Sequence, residues 1–156
     1  MITVLFVCTG NICRSPMAEA IFIDLVAQEG LANQIDIDSV GTDAFHVGDR
    51  AHPGTRRILA THGIQCDTIS RRITDADLRW ADYVVAMDHY NMSDLKYMTR
   101  GNSTDSNIHL LTEFADNSRV RDVPDPYYSG NFEEVYDLIT AGCRGLLAHI
   151  RAKDGI

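Results

Sequence analysis

The segment Val7-Cys8-Thr9-Gly10-Asn11-Ile12-Cys13-Arg14-Ser15-Pro16 constrains this chain more than any other. The apolar run before it, Ile2-Thr3-Val4-Leu5-Phe6-Val7, reads as a strand. Ser15-Pro16 reads as an N-cap followed by proline in the first helical position. Between strand and helix lies a loop bounded by Cys8 and Arg14. Gly10 takes positive φ freely, and Asn11 does so more readily than most residues, so the loop can curl into a ring. Its successive N–H groups then point inward, at the positive end of the following helix. The result is a cradle for an anion such as phosphate.

The two ends of the loop supply what a bare cradle lacks. A free cysteine has a pKa near ~8.5, which a helix N-terminus and a nearby arginine lower to roughly 3.5–7.5. Arg14 offers a planar fork that holds two phosphate oxygens at once. A cation in the first turn of a helix opposes the helix dipole, a placement that makes sense with an anion bound. Taken alone, Cys8 would read as a small buried hydrophobe at a strand end. With Gly10, Asn11 and Arg14 so placed, it reads as a nucleophile at the floor of the cradle. The segment has neither the Gly-Lys-Ser/Thr ending nor the Gly-x-Gly-x-x-Gly pattern of nucleotide loops. Late in the chain, Asp125 stands between Pro124 and Pro126. Pro126 biases Asp125 towards extended backbone, and Pro124 has a fixed φ. A carboxyl on so stiff a support suits a general acid, although a turn aspartate is the commoner case. A phenol-type leaving group, with pKa near ~10, departs poorly as an anion and gains from such a donor.

The 156 residues suit a single domain, 1–156, large enough for a full core. A net charge of −8 argues against a nucleic-acid partner, which wants a basic face. The pairs Arg56-Arg57 and Arg71-Arg72 read as solvated charge. No run is long enough to span a membrane, and the N-terminus lacks the pattern of a signal peptide. The four cysteines, Cys8, Cys13, Cys66 and Cys143, are scattered, which does not suggest a secreted disulfide framework. A cytoplasmic protein is expected. Cys8 and Cys13 have the spacing of a metal half-site. No second ligand pair accompanies them and the six histidines are dispersed, so no metal is expected.

Along the chain, apolar residues from Ala18 to Val26 have helical spacing and predict a helix over 16–29, ended by Gly30. Ile35 to Val40 alternates like a strand, and Pro53 to His62 reads as a helix closed by Gly63. Thr74 to Asp77 looks like the cap of a short helix reaching Trp80. Asp82 to Met87 is a continuous apolar strand of the kind buried on both faces. A short helix over about 90–98, a loop over 100–106 and a strand over 108–111 follow. Residues 113–129 show no period, and a long helix covers about 131–153. Strands alternating with helices imply a four-stranded, doubly wound α/β fold: a parallel sheet with helices on both faces. Ligands in such sheets bind beyond the carboxyl ends of the strands, where the strand order reverses.

The string Cys-x-Gly-Asn-Ile-Cys-Arg-Ser-Pro at 8–16, together with Asp125-Pro126-Tyr127-Tyr128, closely resembles the low-molecular-weight protein tyrosine phosphatases. The resemblance spans essentially the whole chain. It implies strand order 2-1-3-4 and hydrolysis of phosphotyrosine in two steps through a phosphocysteine. By that resemblance Cys8 is the nucleophile, Arg14 the phosphate clamp, and Asp125 the general acid and then the base. Thr9, Gly10, Asn11, Ile12, Cys13 and Arg14 hold the phosphate. Asn11, Ser15 and Ser39 brace the loop, against readings as a turn residue, an N-cap and a strand-end serine. Phe45, Tyr127 and Tyr128 form the pocket rim, with core packing the rival reading for Phe45. Cys13 is the redox partner of Cys8, able to trap its sulfenic acid as a disulfide. The family implies no cofactor, phosphotyrosine-containing proteins or peptides as partners, inorganic phosphate as product, and a monomer. It also allows phosphorylation of the tyrosine pair.

Three neighbouring readings compete. Thioredoxin-coupled arsenate reductases relay oxidation to a cysteine pair beyond the third strand, and no cysteine lies between Cys66 and Cys143. Protein-arginine phosphatases of the same family tend to carry threonine where this chain has Ile12, and to lack the full tyrosine pair. A non-catalytic phosphate-binding or scaffold protein would have lost Cys8, Arg14 or Asp125, and all three are present. One departure is Thr68, where many animal relatives carry histidine.

Overall fold

The computed structural model describes residues 1–100, 107–115 and 121–156. Four strands, β1 (Ile2–Cys8), β2 (Ile35–Gly41), β3 (Tyr83–Ala86) and β4 (Ile108–Leu110), form one parallel sheet in the order β2-β1-β3-β4. The helices are α1 (Arg14–Gln28), α2 (Pro53–Thr61), α3 (Asp75–Trp80), α4 (His89–Met98), α5 (Pro126–Ser129) and α6 (Phe132–Asp154). A 3₁₀ turn, Leu111–Phe114, follows β4.

The central strand shows why both faces are covered. Side chains alternate along a strand, so Val4, Phe6 and Cys8 face one way and Leu5 and Val7 the other. The first set packs with Met17, Ile21 and Phe22 of α1 and Ile139, Cys143 and Ile150 of α6. The second packs with Leu78 of α3 and Leu95 of α4. All four residues of β3 are buried, as its unbroken apolar run requires. The order reverses between β1 and β3, so a crevice opens beyond their carboxyl ends, at Cys8 and Ala86.

Most boundaries shift by a residue, and three differences from the sequence reading matter more. Helix α1 begins at Arg14, not Pro16: Cys13 occupies the N-cap position without a side-chain cap bond. Ser15 therefore lies inside the first turn, and its hydroxyl is used elsewhere. Pro16 is tolerated there because the first helical N–H groups have no intrahelical partner to lose. Asp125 caps a single helical turn, α5, too short to leave a periodic signal. Leu111, read as the end of β4, begins the 3₁₀ turn. From residue 101 on, the loop expected over 100–106 lies outside the described residues. The capping box of α3, Thr74 with Asp77, is present as expected.

Helix α6 carries two interior glycines, which a helix ordinarily disfavours by about 1 kcal/mol each relative to alanine. Close packing explains them. A Cβ on Gly145 would lie 1.6 Å from the Phe114 carbonyl oxygen, and one on Gly142 would lie 2.5 Å from Leu111 Cγ. The 3₁₀ turn sits directly on the helix backbone. Gly145→Ala is therefore expected to destabilise the protein by about 1–3 kcal/mol, the usual cost of overpacking, despite alanine's better helix propensity. Urea unfolding measures this, and a stabilised variant would contradict the packing argument.

Candidate active site

The loop after β1 is shaped by Asn11, whose φ of 56° is the one positive value at a non-glycine residue among the described residues. Gly10 does not share the left-handed conformation that its identity permits. Its missing side chain serves a close approach instead: a Cβ there would lie 3.0 Å from His46 Cδ2. Behind the loop, a Cβ on Gly41 would lie 2.7 Å from the Thr9 carbonyl oxygen. Gly41 is the register partner of Cys8, so the edge strand supports the loop from below.

A chain of buried polar groups fixes the ring. The Arg71 backbone N–H donates to Asn11 Oδ1 at 3.1 Å, which orients the amide. Asn11 Nδ2 then donates to Ser15 Oγ at 2.7 Å and to Ser39 Oγ at 3.1 Å. Ser39 gives its own proton to Glu19 Oε1 at 2.6 Å, and Thr68 donates to the same oxygen at 2.6 Å. Burial raises the Glu19 pKa above its ordinary value, partly offset by these two hydroxyls. Ser15 Oγ accepts from Asn11 and lies 3.0 Å from Cys8 Sγ and 3.4 Å from the Val40 carbonyl, so the sulfur as a thiolate, which can only accept, is the nearer acceptor for its one proton. The network thus diverges from the Asn11 amide, through Ser39 to the acceptor-only Glu19 carboxylate and through Ser15 to the sulfur. Ser70 Oγ donates to the Gly10 carbonyl at 2.9 Å and Asn91 Nδ2 to Thr9 Oγ1 at 3.2 Å, tying down the rest of the loop.

The Arg14 side chain is 3% exposed, and a charge that deep has to be paired. Nη1 donates to Asp88 Oδ2 at 2.6 Å and to the Val123 carbonyl at 3.0 Å. Nη2 lies 3.6 Å from Asp125 Oδ2. Burial works against the charge, but the negative groups Cys8, Asp88 and Asp125 outweigh it and hold the Arg14 pKa above its ordinary value. Asp88 is also the N-cap of α4, accepting from Asn91 N–H at 2.8 Å. The sequence reading did not single it out. Its signal was available: a cap-type residue at the carboxyl end of β3, beside β1, where the strand order reverses.

These residues enclose a cavity of ≈ 360 Å³ with Cys8, Thr9, Gly10, Ile12, Cys13 and Arg14 at its base. Phe45, Tyr127 and Tyr128 line its mouth with Asp125. Phe45 and Tyr128 are each 84% exposed, so Phe45 is a rim residue and not core. Asp43 and His46 also line the cavity and were not anticipated. The His46 ring lies between Phe45 and Tyr127, at 4.8 and 5.8 Å. His52 stacks on Phe132 at 5.1 Å and meets Tyr127 edge-on at 6.0 Å, so it supports the rim from behind. Asp125 has extended backbone, as Pro126 demands, and its Oδ1 accepts from Tyr127 N–H at 3.1 Å.

The other thiols differ from Cys8 in their surroundings. Burial, reinforced by the charges of Asp125 and Cys8, pushes the Cys13 pKa up to about 12. Burial also raises Cys66 and Cys143. Cys8 and Cys13 are both free and both face the cavity. Among the described residues no cluster of three or more His, Cys, Asp or Glu is placed to hold a metal ion, and no helix is long and apolar enough to cross a membrane. Near neutral pH, iodoacetate is expected to modify Cys8 and leave Cys13, Cys66 and Cys143 as thiols, with inorganic phosphate slowing the reaction. Peptide mass mapping reads the outcome, and equal labelling of Cys13 would contradict it.

The chain is similar in sequence and in fold to known proteins. The sequence profile described as "Low molecular weight phosphotyrosine protein phosphatase" matches residues 3–155. The low molecular weight protein-tyrosine-phosphatase YfkJ of Bacillus subtilis is 50% identical over 152 residues, covering 97% of each chain. The crystal structure of YfkJ superposes with a TM-score of 0.95 at 49% identity, covering 98% of this chain and 96% of that one. The structure of DARP, a Drosophila arginine phosphatase, superposes with a TM-score of 0.89 at 33% identity, covering 95% and 97%.

Proposed function

The chain belongs to the low molecular weight phosphotyrosine protein phosphatase family, and from that premise we propose how its residues carry out the hydrolysis of phosphotyrosine. The Cys8 thiolate attacks phosphorus while the loop amides of residues 9–14 and the Arg14 guanidinium hold the three equatorial oxygens. With Nη1 committed to Asp88 and Val123, the Nε and Nη2 edge of Arg14 is the one left for phosphate. A fixed fork stabilises charge as it develops without reorganising. As the P–O bond to the tyrosine breaks, Asp125 gives its proton to the phenolic oxygen. In the second step Asp125, now a carboxylate, takes a proton from water as that water attacks phosphorus. The S–P bond breaks, the thiolate is restored and inorganic phosphate leaves.

The observation that carries this reading is the convergence of Cys8, Arg14 and Asp125 on one cavity, with Ser15 Oγ 3.0 Å from the sulfur. Ser15, Asn11 and Ser39 serve to hold the loop ring open and to direct a hydrogen bond at the thiolate. Phe45, Tyr127 and Tyr128 receive the substrate ring, an aromatic contact worth about 0.5–1.5 kcal/mol beyond area burial. Ile12 presents an apolar wall to the same cavity, which favours an aryl substrate over phosphoarginine. The enzyme is read as a cytoplasmic monomer acting on phosphotyrosine proteins or peptides, without metal or cofactor. Cys13 acts as the resolving thiol when Cys8 is oxidised.

Phosphotyrosine and phosphoarginine peptides offered side by side, in chelator, test the reading. Hydrolysis is expected to favour phosphotyrosine and to vanish in Cys8→Ser. A preference for phosphoarginine would reassign the substrate and keep the three catalytic residues. Arg14→Lys is expected to lose at least about 10²-fold in kcat, because a point charge does not reproduce the fork. Near-normal turnover in that variant would remove Arg14 from the mechanism.

A further inference from the structure

The segment that bears Asp125 is tied down by a contact the reaction itself does not use. Asp122 turns its carboxylate onto the first residue of α4. Oδ1 accepts the His89 backbone N–H at 3.0 Å, and Oδ2 accepts from His89 Nδ1 at 2.6 Å. The backbone N–H is one of the donors a helix start leaves unsatisfied, and a carboxylate is favoured there by the helix dipole.

The neighbours of His89 make this contact more than a surface pair. Three consecutive residues after β3 each grip one point of the clamp or of the acid segment. The Met87 carbonyl accepts from Val123 N–H at 2.8 Å. Asp88 holds Arg14, and His89 holds Asp122. Only Val123 and Pro124 separate Asp122 from Asp125, and the φ of Pro124 is fixed, so a tether at Asp122 is transmitted to Asp125. Arg14 holds the same segment through the Val123 carbonyl at 3.0 Å, but it does not fix the Asp125 carboxyl itself. Its 3.6 Å approach to Asp125 is too long for a hydrogen bond.

We propose that the His89–Asp122 pair is a latch that positions Asp125 for proton transfer. Both are positioning residues, since neither touches the cavity, and the proposal rests on Asp125 being the general acid. Exposed ion pairs contribute little to global stability, and the His89 and Asp122 side chains are 62% and 36% exposed. Loss of the latch is therefore read in the position of the acid and not in folding. Displacement of a reacting group by about 1 Å costs up to about 10²-fold, and a general acid supplies about 10²–10⁴-fold. Release of one tether of several is expected to cost about tenfold, and only where the leaving group needs a proton.

The test compares kcat/KM for phenyl phosphate, whose leaving group needs the acid, with that for 2,4-dinitrophenyl phosphate, whose leaving group does not. His89→Ala and Asp122→Asn are expected to lose about tenfold on the phenyl ester and less than about twofold on the dinitrophenyl ester. His89→Asn, whose amide puts a donor near the place of Nδ1, is expected to recover most of the loss. In an Asp125→Asn background, Asp122→Asn is expected to cost nothing more on either ester. Equal losses on both esters, losses that persist without the acid, or unchanged rates would each overturn the latch. Asp125→Asn alone decides the premise separately: equal loss on both esters there would overturn the acid assignment, and the latch with it.

Discussion

The buried charge of Arg14 is the constraint on which the rest of the site depends. A guanidinium 3% exposed sits inside the protein only because Asp88 and the Val123 carbonyl take its Nη1 protons. Removing one partner of a buried ion pair generally costs about 3–5 kcal/mol, since the other charge is left stranded. That cost binds three remote pieces of chain together: the start of α1, the end of β3 and the strand-like approach to Asp125. The same bonds set which edge of the fork faces the cavity. Stability and orientation therefore come from one set of contacts, and neither can be altered alone.

Around that charge the loop is held by hydroxyls and an amide, not by apolar packing. Asn11 is the pivot, adopting φ of 56° while its side chain reaches Ser15, Ser39 and the Arg71 backbone. Asn11, Ser15 and Ser39 are buried, so an unmade bond among them would cost the full desolvation of its polar atom. A network satisfied this completely has one arrangement. Thr68 closes the network at its far end, where its hydroxyl donates to Glu19 Oε1 beside that of Ser39.

The sheet was legible because its signals are periodic or continuous. Residues 2–7 and 82–87 could hardly be anything other than strands buried on both faces, and alternation with helices forced the parallel arrangement. Cys8, Arg14 and Asp125 were legible through short-range backbone chemistry, with prolines and a small-residue loop beside groups of unusual reactivity. Ser15 carried two readings, a loop brace from the resemblance and a helix cap from Ser15-Pro16, and only the cap fails, for a physical reason. A serine before proline looks like a cap, but a buried hydroxyl inside the first turn is worth more to the sulfur than to the helix end. Asp88 left a trace only once the strand order is known, and His46 left little because it meets Tyr127, a residue distant in sequence. α5 left none, since one turn has no period.

Gly10 and Asn11 illustrate the difference between what a residue permits and what a fold requires. Residue identity allows the left-handed conformation at both positions, most freely at the glycine. The structure gives that conformation to Asn11, whose amide is needed at that point, and uses the glycine for the space its missing Cβ leaves against His46. Exchanging the two would satisfy the backbone equally well. It would remove the side chain that joins the two serines, and would drive a new one into the histidine that stands between Phe45 and Tyr127. The order of these two residues is thus dictated from opposite sides: by the hydroxyl network beneath the loop and by the aromatic rim above it.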